Sequence, residues 1–193
     1  MNNDFFSSEE LRQQGYGSVG ENVFVGKNCH IVNCENIYLD SDIKINPFCT
    51  LVAYKDSKIT IGRSVHIGSY SLLYGMMPIS IGSFVAISSA VKIFTASEDF
   101  SENSLLGYQI PSDLRKIHMS PILISDHCGI GANSILLPHS NMAKGGVLAA
   151  NSLLKKSIQN EFEIFGGNPA KKIGSRKKIA LEYAEEYLKR TTY

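Results

Sequence analysis

Residues 120–148 read SPILISDHCGIGANSILLPHSNMAKGGVL. Ile124, Ile130, Leu136, Met142 and Leu148 stand six positions apart in it. Four positions after each anchor comes a small residue: Cys128, Ser134, Ser140, Gly146 and, just beyond, Ser152. A step of six fits neither the 3.6-residue turn of an α-helix nor the plain alternation of a hairpin. It fits short strands joined by sharp corners. Alternation along a strand turns an anchor and the residue four later to the same side. Three such strands close a triangular coil, and coils stack so that each touches only its neighbours.

The same step runs through Ile81, Ile87 and Ile93, and earlier through Val19, Val25, Ile31, Ile37 and Ile43. Val23, Cys29, Ser41, Val65, Ser71, Val85 and Val91 fill the fourth place, with Glu35 an exception. Glycine often follows the anchor, as at Gly62, Gly68, Gly82 and Gly131. Sixteen or so hexads make about five coils. The register slips near Pro47–Ser57 and at Met76–Pro78, where a residue that cannot donate a ladder hydrogen bond implies a corner or bulge. Residues 154–164 leave the repeat. The fold class expected is an all-β solenoid over residues 19–174.

Between the two runs, residues 97–119, SEDFSENSLLGYQIPSDLRKIHM, carry no repeat. So long a polar, charged interruption is read as an extruded loop that bears chemistry. Residues 1–18 read as an N-terminal helical segment, with Ser7 and Glu10 at capping-box spacing. Residues 175–193 read as a C-terminal α-helix on which Ile179, Tyr183 and Tyr187 form one stripe.

A net charge of +1, with 44% hydrophobic and 19% charged residues, suits one domain with a real core and no nucleic-acid surface. The basic run Lys171, Lys172, Arg176, Lys177 and Lys178 reads equally as a solvated helix start or a phosphate site. None of the four cysteines forms a C-x-x-C pair, and Cys29 and Cys128 sit where the repeat wants core filler. The N-terminus has no basic n-region or apolar h-region, and no stretch approaches ~20 apolar residues. A cytoplasmic protein with reduced thiols and no membrane span is expected.

These hexads, followed by Phe165-Gly166-Gly167-Asn168-Pro169-Ala170-Lys171-Lys172-Ile173, resemble the left-handed β-helix (hexapeptide-repeat) acyltransferases over residues 19–176. IFTASEDF, the loop, then SPILISDHCGIGANSILLP look like one bacterial subgroup, the sugar O-acetyltransferases and nucleotide-amino-sugar N-acyltransferases of surface polysaccharide (O-antigen) synthesis. The resemblance implies a left-handed parallel β-helix, against the usual right-handed crossover, and a homotrimer with active sites in the clefts between subunits. It implies acetyl-CoA as acyl donor and a nucleotide sugar as acceptor. It places the pantetheine arm beside Ala132, Ala149 and Ala150, lets Asn168 and Pro169 shape the end of that channel, and offers Lys171 and Lys172 to the CoA phosphates.

The chain departs from the family in one respect. Many members carry a catalytic histidine where the loop leaves the coil; here stand Glu98 and Asp99. A sugar hydroxyl holds its proton tightly and wants a histidine base. A sugar amine, by analogy with an α-amino group at ~7.7–8.0, is already partly neutral near pH 8. The departure therefore favours N-acylation of an amino sugar over O-acetylation. His66 falls one residue before an anchor, as Glu98 does, but at a different corner. Hence His66 from one chain and Glu98 or Asp99 from its neighbour are expected to share one catalytic site. Tyr108 is read as a stacking residue, His118 as a substrate contact, and Asp99, Glu102 and Asp113 as ligands for sugar hydroxyls or an ammonium. Loop solubility explains these loop residues equally well. His127 and His139 read as exposed corner residues, and His30 lies far from the break. A non-enzymatic solenoid would not need the loop. A zinc enzyme of the γ-carbonic anhydrase kind needs three convergent histidines, and no metal triad is visible.

Overall fold

A computed structural model describes residues 4–101 and 104–191, so that Glu102 lies outside the described residues. The chain winds as a left-handed parallel β-helix of about seven turns. Face one stacks Val23–Gly26, Ile43–Ile45, His66–Ile67, Ala86–Ile87, Gly129–Ile130, Val147–Leu148 and Glu163–Gly166. Face two stacks His30–Val32, Thr50–Ala53, Leu72–Gly75, Lys92–Phe94, Ile135–Leu136 and Leu153–Leu154. Face three stacks Ser18–Val19, Ile37–Leu39, Ile59–Ile61, Ile79–Ile81 and Ile122–Ile124, and single bridges continue it through Met142 to Ile158.

There are more turns than the five read from the hexads. Residues 154–164, which lack the spacing, still close a turn. Ile158 pairs with Met142, and Ile158 and Phe162 are buried.

The anchors fill the core. Ile61, Ile67, Ile81, Ile87, Ile93, Ile124, Ile130 and Leu136 are all buried. Many fourth-place residues are serines because they sit where the backbone turns. The Ser71 hydroxyl donates to the Ser88 carbonyl at 3.1 Å, and that of Ser134 to Ala149 at 2.8 Å. A buried hydroxyl is thereby satisfied while a corner carbonyl is capped. The corners demand left-handed backbone. Asn22, Asp42, Ser64, Phe84, His127 and Phe162 adopt positive φ at the corner before face one. Phe48, Tyr70, Ala90, Asn133 and Asn151 do so at the corner between faces one and two.

Both ends are closed by non-repeat elements. Phe5–Phe6 pairs antiparallel with Val23–Gly26, and α1 (Ser8–Gln13) buries Leu11. The capping box forms as the spacing predicts: the Ser7 hydroxyl accepts from the Glu10 N–H, and Glu10 accepts from the Ser7 N–H at 2.7 Å. At the far end Lys171–Ser175 turns back as a strand antiparallel to Glu163–Gly166. The C-terminal helix, α2 (Ala180–Thr191), therefore starts later than residue 175. No helix among the described residues is long and apolar enough to cross a membrane.

Candidate functional site

The residues singled out above lie in three places. The first is a ledge along the corner between faces one and two. Gly131 lies so close to the next coil that a Cβ there would meet the Ala149 carbonyl carbon at 2.7 Å. Ala149 in turn touches Gly166, where a Cβ would lie 3.3 Å from the Ala149 methyl. Ala132 and Ala150 are exposed on this corner. With Gly167 they form a run of small residues that an extended thioester arm can approach, bordered by Ile173 over Gly166 and by Asn133, whose side-chain amide donates to that of Asn151 at 2.8 Å. Asn168 and Pro169, joined by a cis peptide bond, form the exposed turn at its end. Lys171 is exposed there. Lys172 instead donates to the nearly buried Glu163 at 2.6 Å, a bond that holds the terminal hairpin and keeps the Glu163 carboxyl below its usual range.

The second place is the base of the loop, which leaves face two and rejoins the chain at face three. It is more ordered than its lack of repeat suggests. Ala96–Glu98 and Ile117–Met119 form a two-stranded antiparallel ribbon, with Ser97 opposite His118. Glu98 accepts from the Gly107 N–H at 2.9 Å and faces the Arg115 guanidinium at 3.5 Å. That guanidinium lies over the Tyr108 ring at 5.7 Å. Glu98 thus ties the tip of the loop to its stem. Asp99 is only 8% exposed. Its carboxylate accepts from the Ser101 N–H at 2.9 Å, with Lys116 at 3.6 Å and His118 Nε2 at 3.8 Å. Hydrogen bonds from Ser101, then the Lys116 ammonium, hold its carboxyl below the ordinary carboxylate value. Asp99 is ionised at neutral pH, suited to hold a cation and ill suited to remove a proton. Asp113 is exposed on the loop. Although the segment reads as polar, it exposes large apolar side chains, including Phe100, Leu105, Leu106 and Tyr108.

The third place is a cleft of about 710 Å³ between the outside of face one and α2. His66 lines it, in one lateral row with Lys44 and Ala86. Phe84 stacks on His127 at 5.2 Å and meets Tyr187 of α2 edge-on at 5.9 Å. Arg176 donates to the His127 carbonyl at 3.1 Å. Desolvation, then Lys44, lowers the proton affinity of His66; desolvation, then Lys144, does the same for His127. Both imidazoles are neutral near pH 7.

Within one chain His66 and Glu98 line different pockets on different faces, and Asp99 lines neither. The structure brings Glu98 to Arg115 and Tyr108, and Asp99 to His118, but neither carboxylate to His66. His127 is a corner residue as expected, yet it is half-buried against Phe84 rather than exposed; His139 is exposed. Lys44, Phe84 and Tyr183 were not read as site residues. They lie some 40 to 140 positions apart in sequence, and only the stacking of coils and the fold-back of α2 bring them together.

No protein-family model matches the chain. A curated relative, the dTDP-4-amino-4,6-dideoxy-D-glucose acyltransferase of Escherichia coli, is 33% identical over 90% of this chain and 89% of its own length. The N-acyltransferase AntD of Bacillus cereus, solved with dTDP-4-amino-4,6-dideoxyglucose and coenzyme A, superposes with a TM-score of 0.92. It is 34% identical, with 99% of this chain and 100% of that one covered. AntD has also been solved with dTDP and 3-hydroxybutyryl-CoA, and as variants at one serine and at an aspartate ten positions after it. A hexapeptide-repeat acetyltransferase of Vibrio cholerae, 22% identical with a TM-score of 0.62, shares the fold. The coil stack, the extruded loop and this end-to-end likeness together place the chain in the left-handed β-helix, hexapeptide-repeat acyltransferase family.

Proposed function

We propose that this enzyme transfers the acyl group of a CoA thioester to the amine of a nucleotide-linked amino-deoxy sugar, a dTDP-4-amino-4,6-dideoxyhexose, for surface polysaccharide synthesis. The observation that carries the reading is the likeness, over nearly the whole chain, to an enzyme captured with that sugar nucleotide and coenzyme A. The geometry at the loop base agrees with it. An ionised Asp99 can orient an ammonium or amine, and an amine needs less help from a base than a hydroxyl does. The amine nitrogen attacks the thioester carbonyl, the C–S bond breaks, and the nitrogen's proton leaves through neutral His66 or on the departing sulfur. The products are an amide and free CoA.

The working unit in this reading is a cytoplasmic homotrimer. His66 of one chain and Asp99 of its neighbour serve one site, with Glu98 fixing the loop, Tyr108 and His118 bordering the acceptor, and the Ala132–Ala149–Ala150 ledge receiving the donor. Ser89 and Asp99 of this chain repeat the ten-residue spacing of the AntD variants. In the chain they flank Lys92–Phe94, Ser89 before the corner that leads into it and Asp99 just beyond the ribbon strand Ala96–Glu98. Two kinds of outward surface support a boundary between chains. Face two presents Val52, Leu72, Tyr74, Phe94, Ile135 and Leu153 to the outside, and the loop exposes its apolar tip.

The test is thiol release from acetyl-CoA and 3-hydroxybutyryl-CoA with a panel of dTDP-linked 3- and 4-amino sugars and their hydroxyl counterparts. Turnover on a 4-amino sugar is expected. Turnover confined to hydroxyl acceptors would replace N-acylation with O-acylation.

A further inference from the structure

The corner between faces one and two carries a pair of groups that acyl transfer leaves unused. Coil by coil, its fourth-place side chains are Cys29, Cys49, Ser71, Val91, Ser134 and Ser152. The first two are thiols, and both are free. His30–Val32 and Thr50–Ala53 run parallel with His30 opposite Thr50, so Cys29 falls opposite Cys49 on the neighbouring coil. The His30 N–H donates to the Cys49 carbonyl at 2.8 Å, which fixes that register. Paired strands lie ~4.8 Å apart. That spacing falls inside the ~4.4–6.8 Å between Cα atoms that a disulfide spans. The two coils also press close just before this corner, where a Cβ on Gly26 would meet the Pro47 backbone at 2.6 Å.

The two thiols differ in their surroundings. Cys29 is half-buried, and in its thiol form it leans toward the second coil, donating to the Asn46 carbonyl at 3.2 Å. Cys49 is buried and donates onward to the Gly68 carbonyl at 3.2 Å. The Cys49 thiol beside it draws Cys29 down to about 7. The same neighbour, then burial, pushes Cys49 well above the usual thiol value. The first proton of the pair is therefore lost near neutral pH, from the sulfur that solvent reaches. A partly exposed thiolate is the form of cysteine that an oxidant attacks, and here a second sulfur lies directly behind it.

We infer that Cys29 and Cys49 form an oxidation site, a dithiol that a hydroperoxide converts into a disulfide bridging the first two coils. The Cys29 thiolate attacks the peroxide, the O–O bond breaks, and Cys29 becomes a sulfenic acid while hydroxide leaves and takes up a proton. The Cys49 sulfur then attacks the Cys29 sulfur, the S–O bond breaks, and a second water leaves with the Cys49 proton. Two thiols are oxidised by two electrons, and the peroxide is reduced to two waters. The bridge falls where the solenoid is least supported. His30–Val32 is the edge strand of its sheet, with a coil on one side only, and terminal elements open before central ones. Oxidation staples that end.

The test treats the intact protein with hydrogen peroxide, blocks the remaining thiols with iodoacetamide and maps the peptides by mass. A cross-linked peptide joining Cys29 to Cys49, lighter by two hydrogens than the two thiol peptides together, is expected. Tm should rise by about 5 °C, as closing one coil implies, and should fall back on adding dithiothreitol. In Cys49→Ser the cross-link and the rise should both vanish. That variant suits the fold, since Ser71 fills the same place one coil on, its hydroxyl donating to the Ser88 carbonyl. Cys34 is the other partly exposed thiol, so Cys34→Ser is the control and should keep both the cross-link and the rise. A bridge through Cys34, a bridge between chains, or a sulfenic or sulfinic acid on Cys29 with Cys49 still a thiol overturns the inference. So does a protein that peroxide leaves with four free thiols.

Discussion

Asp99 and His66 divide the polar work of the proposed transfer according to their surroundings. Ser101 and Lys116 beside Asp99 keep it charged; burial and Lys44 keep His66 neutral. Asp99→Asn preserves the acceptor for the Ser101 N–H but removes the charge. It should lower kcat/KM for the amino sugar by about 10- to 100-fold, the worth of one hydrogen bond to a charged group. Glu98→Gln should instead loosen the loop through Arg115, raising KM more than it lowers kcat. A loss of kcat at Glu98 equal to that at Asp99 would reverse these roles. His66 gives a pH signature. Its folded pKa lies below the ordinary 6.5, so the neutral, proton-accepting form persists to lower pH and is lost as pH falls through that depressed value. The acceptor amine, near ~7.7–8.0 by the α-amino analogy, titrates above it. A plot of log kcat/KM against pH should therefore rise with unit slope through the amine's range and steepen below the His66 value. In His66→Gln the steeper segment should vanish. An identical profile in both proteins would exclude His66 as the proton acceptor.

At the scale of the element, the coil corner bears on stability and, in the proposed reading, on donor access. A methyl at Gly131 would press on the Ala149–Ala150 backbone, where no flexible side chain can yield. Gly131→Ala should cost about 1–3 kcal/mol by overpacking and lower Tm by about 2–12 °C. Because the displaced backbone is the ledge, the KM for acyl-CoA should rise while that for the sugar nucleotide holds. Thermal melts and steady-state kinetics on the one variant check both halves. The same corners show what could be read from sequence. Ile81, Ile87, Ile93 and their counterparts announce the core, because six-step spacing has one structural solution. Residues 154–164 hid a turn because Ile158 needs only a single bridge to Met142, and no hexad marks it. Lys171–Ser175 read as the approach to a helix because a strand on the solenoid's end needs no apolar face. That Ala132 and Ala150 share an exposed corner was legible from their places in the repeat. The cleft was not, since Lys44, Phe84 and Arg176 converge only after α2 folds back across face one, which no periodicity encodes.

The whole molecule presents three unequal outer surfaces. Face three shows Tyr38, Thr60 and Ser80, with Leu123 its one large aliphatic side chain in this row. Face one is occupied by the cleft and α2. Face two shows the row Thr50, Leu72, Lys92, Ile135 and Leu153 and, beside it, Val52, Tyr74 and Phe94. Apolar side chains grouped on one outer sheet face mark a surface that a partner covers. In the proposed ring of three, face two lies between the Ser89 corner and the base of the loop that carries Asp99, so a neighbour covering it would border the proposed site. A carboxylate placed at Leu72 would meet at most its neighbour Lys92, and both ions would have to be stripped of water between subunits. Leu72→Glu should therefore convert a particle of three times the 21.2 kDa chain mass into single chains, and should abolish thiol release without unfolding the coils. Thr60→Glu, the matching change on face three, should leave mass and turnover as they are. Light scattering with circular dichroism separates assembly from folding. A Leu72→Glu protein that keeps its mass would show that face two is not the contact between chains. A monomer that keeps full activity would show that Asp99 and His66 do not need a neighbour to work together.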